Sequence, residues 1–401
     1  MKIKAIKAYE IIDSRGNPTI KVILKTRKHI VSASVPSGKS KGKFEAIELR
    51  DGNKKRFSGL GVRKAVKNIN NIIAKEIIGK DCSSQQKIDN LMISLDGTPN
   101  KSKLGANAIL AVSIAVCKAG AKAMELPLFE YIAELSSCKK PSLPRIYANL
   151  INGGLHAETD LAFQEFIAVP RKKGIKAIEQ IHSIYYSIKS MLKKRKLSTG
   201  VGDEGGFTPN IRNQEALFLL HTAIKKTDKK IQMALDVAAS SLFKSGKYLV
   251  PEKLTSSQLL ERYKTYCRKY PILSIEDPFS EQDLEAWRKA ASSLNCLIIG
   301  DDLTATNLKR IEFAKKLNLC NALLLKPNQI GTVTESILAA NLAKKFKWPI
   351  IASHRSGDTC DSFIVDLAVG ISAFGIKIGS PCRGERTSKY NRLIEIEQEL
   401  K

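Results

Sequence analysis

Six short apolar runs in the second half of the chain each end on a side chain able to do chemistry. IQMALD ends on Asp236, PILSIE on Glu276, CLIIGD on Asp301, ALLLK on Lys326, PIIASH on His354 and AFGIK on Lys377. Three of these are carboxylates, hard oxygen donors that suit Mg²⁺ rather than zinc or copper. Lys326 closes a run of leucines, where lost hydration and nearby cations would lower its pKa toward that of a usable general base. Acids for a metal beside such a lysine suit removal of a proton next to a substrate carboxylate. His354-Arg355-Ser356-Gly357 adds a guanidinium, a hydroxyl and a flexible backbone, a combination that fits a phosphate. A plainer reading exists for each residue alone: a strand-terminal acid caps a helix or pairs at a barrel rim, and a lysine snorkels. Three acids followed by a lysine and a histidine at one level are much harder to explain structurally.

Such convergence needs a scaffold. Successive endpoints from Asp236 to Lys377 lie 40, 25, 25, 28 and 23 residues apart, enough for a strand, a helix and two loops. That rhythm predicts a (β/α) barrel, whose active site lies at the carboxyl ends of its strands. Leu308, Ile311, Ala314 and Leu317 mark one face of a helix between two of the strands. The first part of the chain reads differently. Alternating runs predict strands over 4–12, 19–25 and 30–35, an antiparallel meander, and helical patterns fill most of 62–133. Strands followed by helices suggest an α+β domain. The boundary falls within 134–144, giving residues 1–138 as an N-terminal α+β capping domain and 139–401 as the barrel. The loop PSGKSKG lacks the order of a nucleotide P-loop and reads as a mobile lid with glycine hinges.

Composition excludes several classes. With 401 residues, 43% hydrophobic and 26% charged, the chain is an ordinary globular one with room for a deep site. Eight scattered cysteines without a CxxC pair argue against structural zinc and a disulfide framework, and the thiols are expected reduced. The opening residues lack the apolar core of a signal peptide, so export is not expected and the cytoplasm is. The most apolar stretch, 104–117, is shorter than the ~20 residues of a membrane span and predicts a buried helix, with no membrane insertion. The formal charge of +27 is the odd property; 171–196 alone carries nine basic residues and one acid. No RNA-binding module accompanies it, so it reads as a lysine-rich solvated face with weak, non-specific polyanion binding at most.

The chain further carries DSRGNPT at 13–19, SGKSKG at 37–42, EAIELRDG at 45–52, LGANAILAVS at 104–113, INGGLHA at 151–157, QEF at 164–166, GDEGGFTPN at 202–210, ALDVAAS at 234–240, SIEDP at 274–278, GDDLTATN at 300–307, NQIGT at 328–332, SHRSGD at 353–358 and IKIGSPCRGER at 376–386. In this order they resemble the signatures of the enolase family along essentially the whole chain. The resemblance implies an enolase-type, TIM-like α/β barrel that begins irregularly with two strands and two helices. It implies a cytoplasmic lyase, usually a homodimer and sometimes an octamer, that interconverts 2-phosphoglycerate and phosphoenolpyruvate with two Mg²⁺ per site; a lysine or histidine base beside Mg²⁺ is general to that superfamily. Transferred residue by residue, Asp236, Glu276 and Asp301 would hold one Mg²⁺ and Ser40 would help hold the second. Lys326 would be the base and Glu204 the acid, with Glu165 in the same network. His156, Gln164, His354, Arg355, Ser356 and Lys377 would bind substrate. Departures are the lid, where Lys39 and Lys41 replace the usual Ala and Thr, Pro327 after the base, and Arg383-Gly384-Glu385-Arg386 for the usual RSER. The nearest alternatives are a racemase or acid-sugar dehydratase of the same superfamily, which would lack the HRSG loop and this lid, and a catalytically idle polyanion-binding protein, which would not need Lys326, Glu204 and three metal acids.

Overall fold

The structure is a computed structural model that describes residues 1–39, 42–157 and 159–400. Alternation in the N-terminal residues produces an antiparallel meander, β1 (Ile3–Ile12), β2 (Pro18–Thr26) and β3 (Ile30–Ser34). Asp13 forms the first corner by accepting the N–H groups of Arg15 and Asn17 at 2.8 and 3.0 Å, while Gly16 takes φ +75°, a left-handed position that costs glycine little. Helices α1 (Arg63–Asn68), α2 (Ala74–Ile77), α3 (Gln85–Asp96), α4 (Ala106–Ala123) and α5 (Leu128–Leu135) follow. Helix α4 is apolar nearly all round, as a core helix must be, and packs against β2, β3, α3 and α5. It is long and apolar enough to cross a membrane, yet 83% of it is buried within the fold.

After residues 136–144 the chain builds β4 (Arg145–Asn152), β5 (Glu165–Val169), α6 (Gly174–Lys194), α7 (Asn213–Thr227) and β6 (Gln232–Asp236). A small sheet follows, β7 (Phe243–Lys244), β8 (Lys247–Leu249) and β9 (Lys253–Leu254), then α8 (Ser256–Lys269), β10 (Ile272–Glu276), α9 (Leu284–Ser293) and β11 (Leu297–Gly300). The chain ends with α10 (Leu308–Lys316), β12 (Ala322–Leu325), α11 (Pro327–Ile330), α12 (Val333–Lys345), β13 (Ile350–Ser353), α13 (Phe363–Gly370), β14 (Gly375–Lys377) and α14 (Gly384–Glu399). Strands β4, β5, β6 and β10 to β14 close into an eight-stranded barrel in that order. Only β5 runs against its neighbours; the other pairs are parallel. The expected α/β barrel behind an N-terminal α+β domain, with two strands and two helices before regular alternation, is what the chain forms.

Two details differ from expectation. The 40-residue interval before Glu276 is long because β7 to β9 occupy it, an excursion the spacing hinted at and the sequence reading missed. Leu317 does not join the buried stripe of Ile311 and Ala314; α10 stops at Lys316 and Leu317 is 38% exposed.

Strand periodicity now decides the site. Ala234, Ile299, Ala322, Leu324 and Ile351 fill the barrel interior with Tyr147, Ile167 and Val169, while Leu235, Ile298, Leu323 and Leu325 pack outward into the main core under the helices. Side chains alternate along a strand. Two residues on from an inward position, therefore, Asp236, Asp301 and Lys326 also point into the barrel. Glu165 shares the parity of Ile167, and because β5 is reversed, its first residue stands at the mouth, paired with Asp236. The capping domain is fixed against the barrel by the Lys118–Asp361 ion pair at 2.7 Å, by Lys101–Glu335 at 2.9 Å, and by buried Asp89, which accepts from Thr334 N and Oγ1.

Candidate active site

Three buried carboxyls share one ammonium at the mouth. Lys377 Nζ lies 2.9 Å from Asp236, 2.9 Å from Glu276 and 3.1 Å from Glu165. Burial alone would push the Lys377 pKa down, but Asp236, Glu165 and Glu276 drive it well above the usual lysine value. Glu276 moves well above the carboxylate range, from burial first and then repulsion by Asp236, with Lys377 opposing. Gln164 Nε2 donates to Asp236 at 3.2 Å. Across the mouth Lys326 Nζ sits 2.5 Å from Asp301 Oδ2, and Gln329 Nε2 donates to Oδ1 at 2.8 Å. Here the sequence expectation needs correction. Burial lowers the Lys326 pKa most, but the Asp301 and Glu276 carboxylates together outweigh it, and in this arrangement the net shift is upward. Lys326 is therefore a charged ion-pair partner until Asp301 releases it.

Glu204 comes from a glycine loop between α6 and α7. A Cβ at Gly206 would lie 2.4 Å from Asn152 Oδ1, and one at Gly205, where φ is +82°, 2.8 Å from the Cys382 carbonyl, so the loop fits between β4 and the segment after β14 only because both residues lack side chains. Glu204 Oε2 faces Asn149 Nδ2 at 3.1 Å and His354 Nε2 at 3.2 Å; His156 Nδ1 stands 3.6 Å from Glu204 Oε1 and 3.7 Å from Glu165 Oε1. The carboxyl pair is electrically divided. Burial and the Glu204 charge raise the Glu165 pKa far above normal. Of the two carboxyls, Glu165 is thus the one that favours a proton.

The loop after β13 meets the lid. Ser37 and Gly357 exchange two backbone hydrogen bonds, 2.7 and 3.0 Å, and Ser356 Oγ accepts the N–H of Lys39 at 3.1 Å. Lys39 Nζ reaches Asp203 at 3.3 Å. Arg355 forms a fork with Glu45, 3.0 and 3.2 Å, and also donates to Asn328. Ser40 and Lys41 lie outside the described residues. His156, Gln164, His354, Arg355, Ser356 and Lys377 are all buried around the same mouth. Sequence reading assigned no part to Asn149, Gln329, Glu45, Arg386 or Asp277; the last accepts the N–H groups of Asp301 and Asp302 at 2.9 Å each. Gln329 and Asp277 stood inside recognised motifs, but only their contacts reveal what they do.

The donor set fits a hard cation. Buried carboxyls that raise one another's pKa while sharing an ammonium need more positive charge than the protein supplies. The expected trio is nonetheless divided, Asp236 and Glu276 on Lys377 and Asp301 on Lys326. The tighter clusters among the described residues are His156–Glu165–Glu204 and Asp277–Asp301–Asp302.

Comparison with family models extends over most of the chain. Residues 3–132 match the one described as the enolase N-terminal domain, and residues 140–401 the one described as the enolase C-terminal TIM barrel domain.

Proposed function

We propose, from the premise that this chain belongs to the enolase family, that it is the lyase that reversibly dehydrates 2-phosphoglycerate to phosphoenolpyruvate. The observation that carries this reading is the inward convergence of Lys326, Lys377, Asp236, Glu276 and Asp301 beneath a loop presenting Arg355 and Ser356. Asp236, Glu276 and Asp301 would hold one Mg²⁺ and Ser40 would help hold a second. Bound there, the metal supplies positive charge opposite the substrate carboxylate. Lys326, once Asp301 lets go of it and its ammonium has given up a proton to solvent, takes the proton from C2. The electron pair left behind forms the C2–C3 double bond as the C3–O bond breaks, and a proton from Glu204 makes the leaving hydroxyl water. Glu204 must first receive that proton, and Glu165, the carboxyl that favours one, lies on the far side of His156 Nδ1. Lys377, His156, Gln164 and His354 orient the substrate, and Arg355 and Ser356 take its phosphate after Glu45 yields. A homodimer acting in the cytoplasm belongs to the proposal, to be checked by light scattering and cell fractionation.

The test is direct. Purified protein is mixed with 2-phosphoglycerate and Mg²⁺, and the ultraviolet absorbance of the enol phosphate is followed. Formation that stops on chelation and returns with Mg²⁺ supports the reading. No product from 2-phosphoglycerate, with turnover of an unphosphorylated hydroxy acid instead, refutes it in favour of another superfamily reaction.

A further inference from the structure

Arg386, at the start of α14, is completely buried. Its guanidinium joins two segments. Nη1 lies 2.7 Å from His354 Nδ1, donates to the Arg355 carbonyl at 2.8 Å and reaches Asp358 at 3.4 Å. Nη2 donates to the carbonyls of Ser356 at 2.6 Å and Asp203 at 3.1 Å. The loop that holds His354 and the loop that holds Glu204 are thus braced by one side chain.

A guanidinium offers only donors and keeps its charge at any pH a protein survives. His354 Nδ1, facing it, must present a lone pair. The ring's single proton is then on Nε2, which lies 3.2 Å from Glu204 Oε2. Asn149 Nδ2 donates to the same oxygen at 3.1 Å. With Asn149 donating to Oε2 and His354 Nε2 facing that same oxygen, a proton on Glu204 belongs on Oε1, the atom that faces His156.

We propose that Arg386 is a positioning residue, locking His354 as a neutral Nε2–H donor and so directing the transferable proton of Glu204 to Oε1. The second half rests on the role proposed above for Glu204; the tautomer does not. The charged groups facing the ring are Glu204, Arg386 and Lys377. Burial lowers the ring's pKa to about 3, Arg386 and Lys377 push the same way, and Glu204 opposes them.

Nitrogen-15 NMR of histidine-labelled protein tests this without reference to turnover. The chain has five histidines, and His354→Gln identifies the signal. In the wild type, His354 is expected to show the Nε2–H tautomer and no titration from about pH 5 to pH 8. Arg386→Lys, which keeps the charge but loses the fork, should let both tautomers appear and bring titration into that range. Its kcat should fall on the order of ten- to a hundredfold, with KM and exchange of the C2 proton much less affected. A wild-type ring protonated on Nδ1, or one that titrates near neutrality, overturns the proposal even if Arg386→Lys fails to fold. An unchanged ring in folded Arg386→Lys overturns it as well. A ring that behaves as stated in a protein making no phosphoenolpyruvate refutes the proposed reaction and leaves the lock standing.

Discussion

Lys39 stands where the enolase lid usually carries alanine, and its ammonium lies 3.3 Å from Asp203, the residue before Glu204. The two side chains are 43% and 24% exposed, so most of the pair's Coulomb energy is lost to water. Pairs of this kind contribute about 0.2–1 kcal/mol, which corresponds to about a 1.4- to 5-fold change in the equilibrium they bias. The equilibrium this pair would bias is closure of the lid expected from the sequence, since the same segment is held by Ser37 to Gly357 and by Lys39 N–H to Ser356 Oγ. Lys39→Ala and Asp203→Asn should each raise the KM for 2-phosphoglycerate by no more than about fivefold at low salt. The double variant should be little worse than either alone, because only one interaction is removed. Screening shortens from about 10 Å at 0.1 M salt to about 3 Å at 1 M, and the coupling should vanish at the higher concentration. Asp203→Asn is the informative arm, since it breaks the latch while leaving the Lys39 charge near the phosphate. Fully additive effects, or a coupling indifferent to salt, would refute the latch. Additivity with a large effect from Lys39→Ala alone would mean that Lys39 acts on substrate directly.

Lys326→Ala should abolish exchange of the substrate's C2 proton, a loss on the order of a hundredfold or more, and leave Mg²⁺-dependent substrate binding in place; retained exchange measured in deuterium oxide would remove Lys326 as the base. Glu204→Gln should stop elimination and spare that exchange, and equal loss of both would contradict separate acid and base. Asp301→Asn should raise the Mg²⁺ needed for half-maximal activity on the order of tenfold or more; an unchanged requirement would sink Asp301 as a ligand. Stability against urea also carries a signature of His354, whose folded pKa of about 3 lies below its unfolded value of about 6.5. Between those values the unfolded chain binds the extra proton, so this residue's contribution is lost as pH falls from about 6.5 toward 3, by up to about 1.4 kcal/mol per pH unit. His354→Gln should flatten that slope, and identical slopes would show the ring is already solvated.

Much of this protein was legible in its sequence for local reasons. Alternation gave the meander, because one face of β1 to β3 is wet. The apolar runs and their spacing gave the barrel, because a parallel strand buried on both faces reads as a continuous apolar stretch that must be followed by a helix. The type of residue ending each run gave the candidate metal acids and base, which needed no coordinates to be named. That same continuity hid the next step. In ALLLK or CLIIGD both parities are apolar, so nothing in the run says which side faces the barrel interior; closure of eight strands decided it, and with it the direction of Asp301 and Lys326. Charge states were likewise beyond the sequence. Desolvation can be guessed from a leucine run, but the Lys326 pKa rises because Asp301, 25 positions earlier, is brought to 2.5 Å and the Glu276 carboxylate adds to it. Arg386 ended a family signature with no part assigned to it until folding removed its water and left His354 and five backbone or carboxylate oxygens as its partners. Residue type and period are properties of short segments, and a sequence displays them. Proximity between distant segments, and the loss of water that gives each contact its strength, exists only once the barrel has closed.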